Sequence, residues 1–188
     1  MRGFSLTTLR RLDTALWHVR AAWALGRARR SSLRAVRDSR SERLLVVCYG
    51  NIYRSAFVGA WLDAQPDSKM QVRTAGFHPI EGRPSPARHV RMAGQLGVDL
   101  SRHLSARICE SDIDSADLIV LMDRRNWIAL RKMGADPRKL AWLGAWAPDG
   151  DAELPDPDKM DDESAANLLN RIATCTAAIY GDLVRRVA

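Results

Sequence analysis

Apolar positions along this chain follow two patterns. Leu44-Leu45-Val46-Val47 and Leu118-Ile119-Val120-Leu121 are short, solid apolar runs with no polar face, as expected of strands buried on both sides of a parallel sheet. Elsewhere apolar residues recur every three or four positions, the mark of helices packed by one side. Together these predict strands at 43–48, 70–75, 117–122 and 139–143, and helices at 55–64, 86–97, 124–134 and 162–187. Val90, Ala93 and Leu96 give the helix at 86–97 one face and Gly97 a stop, and Gly134 ends the next. A long acidic loop spans 144–160. Alternating strands and helices predict the α/β class, a three-layer α/β/α sandwich around a central four-stranded parallel sheet.

Upstream of the first strand lies a different pattern. Leu6, Leu9, Leu12, Leu16, Val19 and Trp23 recur at roughly helical spacing, among Arg10, Arg11, Arg20, Arg27, Arg29 and Arg30. The net charge of +7 resides here: residues 1–43 hold 11 arginines against 3 acids, whereas the remainder holds 18 basic residues against 19 acids. The basicity therefore belongs to an extension over 1–42 and marks no nucleic-acid surface on the domain predicted over 43–188. An amphipathic helix on an anionic membrane surface, a helix packed on its own domain and a disordered basic arm all fit this pattern. No run reaches the length of a membrane span and no signal-peptide core is visible. Cys48, Cys109 and Cys175 form neither a metal-ligand spacing nor a disulfide framework, which fits a reducing compartment. The expected location is cytoplasmic, with peripheral membrane contact through the N-terminal helix as one option. No metal and no cofactor are expected.

The candidate chemistry sits directly after the first strand, in Cys48-Tyr49-Gly50-Asn51-Ile52-Tyr53-Arg54-Ser55. Gly50 and Asn51 both tolerate positive φ, so successive amides can turn inward as an anion nest. The loop feeds a helix N-terminus, and together these stabilise a thiolate on Cys48 and bind a tetrahedral oxyanion. Arg54 brings a planar fork that matches two phosphate oxygens. Ser55 can cap the helix or donate to the Cys48 sulfur. Such a loop lies at the carboxyl end of the first strand, where parallel sheets bind ligands. Tyr49, Gly50, Asn51, Ile52, Tyr53 and Ser55 are thus the expected substrate-binding positions.

That stretch resembles the signature of the low-molecular-weight protein tyrosine phosphatases, Cys-x-Gly-Asn-x-Cys-Arg-Ser. The resemblance continues in order through Thr74-Ala75-Gly76, the segment from Gly97 to His103, Asp117–Asp123 and Leu154-Pro155-Asp156-Pro157. From Trp142-Leu143-Gly144 through Asp156-Pro157 the chain is most similar to bacterial members associated with exopolysaccharide export. The resemblance implies a phosphotyrosine phosphatase working through a phosphocysteine, with Cys48 as nucleophile, Arg54 as oxyanion ligand and Asp156 as general acid. The flanking prolines restrict where the Asp156 carboxyl points. Asn51, Ser55, Thr74 and His103 match positions that support the loop. The implied partner is a phosphotyrosine protein, with a tyrosine autokinase of polysaccharide export as a candidate.

Three positions depart from the family pattern. Tyr53 replaces the second cysteine, which leaves Cys48 without an adjacent resolving thiol. Asp158 replaces a tyrosine that lines the cleft, and Ala56 replaces a proline. Ile52 favours phosphotyrosine over phosphoarginine, since arginine phosphatases carry Thr there. Two alternatives stay open: a phosphate-binding adaptor with feeble catalysis tethered by the basic arm, and an arsenate reductase on the same fold. Cys109 and Cys175 are expected in the core, His18, His78 and His89 on the surface. The tryptophans read as packing residues, with Trp146 near the cleft.

Overall fold

The structure is a computed structural model and describes residues 6–40, 42–66 and 70–185, residues 6–12 through their backbone alone. Four strands form one sheet: β1 (Arg43–Cys48), β2 (Gln71–Gly76), β3 (Leu118–Leu121) and β4 (Leu140–Trp142). They run in the order β2-β1-β3-β4 and every pairing is parallel. Strand residues alternate between two cores. Leu44, Val46 and Cys48 of β1 join Val120 and Ala141 on one face, against α3 (Arg54–Asp63) and α7 (Asp162–Val184). Leu45, Val47, Leu121 and Trp142 face the other way, against α5 (Glu110–Ser115) and α6 (Arg124–Lys132). This is the expected three-layer sandwich. The solid apolar runs were strands because both of their faces are covered.

The predicted elements stand with boundaries moved by at most three residues. The helix expected at 86–97 is α4 (Ala87–Gln95), and the last helix is α7, the expected residues 186 and 187 lying outside those described. The sequence pattern gave no sign of α5: it has six residues, mostly acids and serines, with only Ile113 buried.

The extension forms α1 (Leu6–Leu25) and α2 (Ala28–Asp38), both packed on the body. Helix α2 lies along β4, the edge strand. Its buried Ser32 hydroxyl accepts from the Trp142 backbone N–H at 2.9 Å, satisfying a donor the sheet leaves open. Helix α1 contacts α6, with its Trp17 ring edge-on to Trp127 at 6.4 Å. Here the sequence reading needs correction. The apolar series that marked the helix is not the side that packs: Leu16, Val19 and Trp23 are exposed, and α1 meets the body through Trp17, Ala21, Ala24 and Leu25. Small alanines let the helix approach closely, but they give a weak hydrophobic signal. The rest of that series, Leu6, Leu9 and Leu12, lies outside the residues whose side chains are described.

Candidate active site

Strand β1 ends at Cys48, and the chain loops through Tyr49–Tyr53 into α3. Asn51 takes the left-handed conformation (φ 51°), the turn anticipated from the Gly50-Asn51 pair. Its backbone N–H then points at the Cys48 sulfur, 3.3 Å away. The Ser55 hydroxyl lies 3.0 Å from the same sulfur. The donor in that contact follows from its neighbours. Ala106 N–H donates to Asn51 Oδ1 at 2.8 Å, so the Asn51 amide must present Nδ2 to Ser55 Oγ, at 2.9 Å. Ser55 accepts there and has its own proton free for sulfur.

The loop carbonyls are held from outside. Tyr49 O accepts from the Phe77 and His78 N–H groups, both at 2.9 Å. Gly50 O accepts from Arg83 Nη2 at 2.7 Å and Asn51 O from His103 Nε2 at 2.6 Å. Tyr53 O accepts from His89 Nε2 at 3.2 Å. Because a carbonyl only accepts, both histidines carry their proton on Nε2. With these carbonyls turned away, the loop interior is left to N–H groups, the condition for binding an anion. Helix α3 adds its N-terminus, which no side chain caps.

Arg54 is almost wholly buried. Nη1 donates to Asp123 Oδ2 at 2.6 Å and to Leu154 O at 2.8 Å, and Nη2 donates to Asp156 Oδ2 at 2.8 Å. Nε is buried and has no partner. Burial works against the charge, but Cys48, Asp156 and Asp123 outweigh it and hold the guanidinium above its ordinary pKa. A cleft of about 940 Å³ opens over Arg54, walled by Tyr49, Phe77, Asp123, Pro155 and Asp156. His18 of α1 also lines it.

Cys48, Asn51, Arg54, Ser55, His103 and Asp156 thus come together, while Gly50, Ile52 and Tyr53 build the loop. Thr74 does not join them. It sits opposite Val46 with its methyl group against Gly59, and it makes no hydrogen bond to the loop. The close neighbour from β2 is Gly76, where an added Cβ would lie 2.7 Å from Tyr49 O and 2.9 Å from Asn51 N. His89 is buried behind the loop, not at the surface, and burial above all pushes its pKa down to about 4. Cys109 is exposed beside Ser111, contrary to expectation, whereas Cys175 is in the core, its thiol pushed up to about 11 by burial. Trp146 packs toward α7, its indole N–H on Asp182, and does not border the cleft. Asp123, Arg83 and His89 were missed as site neighbours. Asp123 alone carried a local signal, as a helix N-cap accepting from Asn126 N–H.

The family model of the low molecular weight phosphotyrosine protein phosphatases matches residues 43–187. The chain belongs to this family. The low molecular weight protein-tyrosine-phosphatase Wzb of Escherichia coli (strain K12) is 30% identical over 134 residues, 69% of this chain and 89% of the relative. Among solved structures, Vibrio vulnificus Wzb in complex with benzylphosphonate has 26% identity and a TM-score of 0.66, over 73% of this chain and 96% of its own. The YwlE arginine phosphatase from Geobacillus stearothermophilus shares the fold, with TM-score 0.69 at 20% identity over 77% of this chain and 94% of its own.

Two of the departures from the phosphatase family's pattern meet in space. Tyr53 packs edge-on to His89, ring centroids 5.0 Å apart. Its phenol is raised mainly by burial and further by the charge of Asp158. Asp158 therefore faces the loop residue that replaces the cysteine. Aromatic surface at the cleft comes instead from Tyr49 and Phe77.

Proposed function

We propose that this chain hydrolyses phosphotyrosine in proteins through a phosphocysteine intermediate. One observation carries the reading: the Cys48 sulfur, met by the Asn51 N–H, interacts electrostatically with the buried Arg54, which has an unpaired Nε–H and holds the Asp156 carboxyl on Nη2. Cys48 thiolate attacks phosphorus in line, so an S–P bond forms as the P–O bond to the tyrosyl oxygen breaks. Arg54 Nε and the loop amides bind the non-bridging oxygens, where charge builds in the transition state. Asp123 and Leu154 O keep hold of Nη1, while phosphate displaces Asp156 from Nη2. Released from the guanidinium, the Asp156 carboxylate takes up a proton from solvent as the phosphoester enters and gives it to the departing oxygen. It then takes a proton from water, whose oxygen attacks phosphorus and releases phosphate and the Cys48 thiolate. Tyr49 and Phe77 flank the entry and suit an aromatic ester.

Likeness to bacterial exopolysaccharide-associated members supports a tyrosine kinase of polysaccharide export as the substrate, met in the cytoplasm. The arsenate alternative loses ground, because a relay needs further paired thiols, whereas Cys175 is buried in the core and Cys109 is exposed beside Ser111. Turnover of para-nitrophenyl phosphate tests the chemistry. Cys48→Ser abolishes it and Asp156→Asn lowers kcat by about 10²–10⁴. A panel of phosphotyrosine, phosphoserine and phosphoarginine peptides tests the substrate, with phosphotyrosine preferred. A wild-type protein that binds vanadate without turnover makes the adaptor reading correct instead.

A further inference from the structure

Helix α1 has two apolar faces, and the body covers one. Ala21 is fully buried there, with Trp17, Ala24 and Leu25 around it. On the opposite side Leu16, Val19 and Trp23 are 49, 60 and 66% exposed. Their spacing of three and four residues makes them one continuous stripe. The packing of α1 makes no use of it, and a leucine, a valine and a tryptophan side by side in water mark a contact surface.

The surroundings of the stripe select its partner. Arg20 and Arg27 run along one border. The Arg27 guanidinium lies over the Trp23 ring at 3.7 Å, and that of Arg20 over Trp17 at 5.3 Å. Ala15 and Ala22 run along the other border. From residue 13 to residue 25 the one acid is Asp13, within a segment of 11 arginines and 3 acids over residues 1–43. A second copy of the same helix would bring arginines toward arginines or alanines, with almost no opposite charge to pair them. A surface that takes up shallow apolar side chains and a tryptophan, and meets arginines with phosphate, is satisfied on every count.

We propose that the Leu16–Val19–Trp23 face of α1 lies on an anionic lipid bilayer, with Arg20 and Arg27 at the headgroups. The contact is peripheral, since among the described residues no helix is long and apolar enough to cross a membrane. His18 of the same helix lines the cleft. If the phosphatase reading holds, α1 thereby joins the bilayer contact to the cleft and favours phosphotyrosines on membrane-proximal segments. The lipid contact itself does not depend on that reading.

The test is co-sedimentation of the full chain with vesicles of phosphatidylcholine, with and without phosphatidylglycerol. The protein partitions onto the phosphatidylglycerol vesicles alone, and less so as salt rises. Trp23→Ser and Arg20→Gln each weaken partition by about fivefold or more. Turnover of para-nitrophenyl phosphate, unchanged in both variants, shows that they fold. Equal binding to both vesicles, or a Trp23→Ser variant that binds like the parent, overturns the proposal. So does a concentration-dependent dimer that Trp23→Ser dissolves, which gives the face to a second copy. Absence of both partition and dimer gives it to a protein partner and also overturns the proposal.

Discussion

His89 shows what a single buried side chain contributes to the loop. Its Nε2–H holds the Tyr53 carbonyl, its ring supports the Tyr53 ring, and burial keeps it neutral down to about pH 4. In the unfolded chain the same imidazole titrates near 6.5. Between those values the unfolded state binds more protons, so stability falls as pH drops from about 6.5 toward 4 and is fully present above 6.5. The loss between pH 7 and 5 is about 2 kcal/mol. Urea denaturation at the two pH values checks this, with His89→Phe retaining the ring and flattening the dependence. An equal pH dependence in both proteins would show that another group is responsible. His89 was illegible in the sequence because its partner lies 36 residues away, and so was the grip of Asp123 on Arg54, across 69 residues. Cys48 through Ser55 could be read because the loop is local: thiol, turn, guanidinium and hydroxyl lie within eight consecutive residues.

Among the elements, the loop that carries Asp156 is held by a helix that no local pattern connects with it. Arg88 of α4 donates to Met160 O at 2.8 Å and to Pro157 O at 3.0 Å, fastening the turn of 3₁₀ helix over Pro157–Lys159 that follows Asp156. At the other end, Leu154 N–H donates to Met122 O at 2.8 Å, just beyond β3. Arg88→Ala releases the first of these anchors. It lowers kcat on para-nitrophenyl phosphate about ten- to a hundredfold, because Asp156 loses its placement. The rate of Cys48 alkylation by iodoacetamide stays as it was, which separates loss of the acid from damage to the nucleophile. Strands and long helices were legible from periodicity, and the resemblance at Leu154-Pro155-Asp156-Pro157 singled out the aspartate that lies on Arg54. Anchors such as Arg88 were not, since one arginine in a helix reads as solvated surface. Thr74 misled for the opposite reason. It matched a family position, yet the contact with the loop belongs to Gly76, two residues on.

For the molecule as a whole, helices α1 and α2 of the N-terminal segment are packed on the body, although the family match begins only at residue 43. Helix α2 covers the β4 edge, and the Ser32–Trp142 contact fastens it there. Ser32→Ala leaves the Trp142 N–H buried and unpaired, at a cost of about 1–3 kcal/mol, measured as a lower urea midpoint. An unchanged midpoint would mean that the N–H finds another acceptor. Charge partition identified the segment in the sequence, and helical spacing predicted that it is helical. Which side would face inward could not be read, because alanines at close packing carry little hydrophobicity and large apolar residues stand on both sides, Trp17 and Leu25 inward and Leu16, Val19 and Trp23 outward.

Gly76 offers a way to disarm the protein without touching a reactive atom. No methyl group fits between β2 and the first peptides of the loop, so a substitution there must displace Tyr49 and Asn51. The Cys48 sulfur, the Arg54 guanidinium and the Asp156 carboxyl would all remain in the chain, while the amides proposed to receive an oxyanion would be skewed, among them the Asn51 N–H that points at the sulfur. A single backbone position, invisible to any reading of side-chain chemistry, therefore sets the amide frame on which the proposed grip on phosphate and the proposed attack both depend.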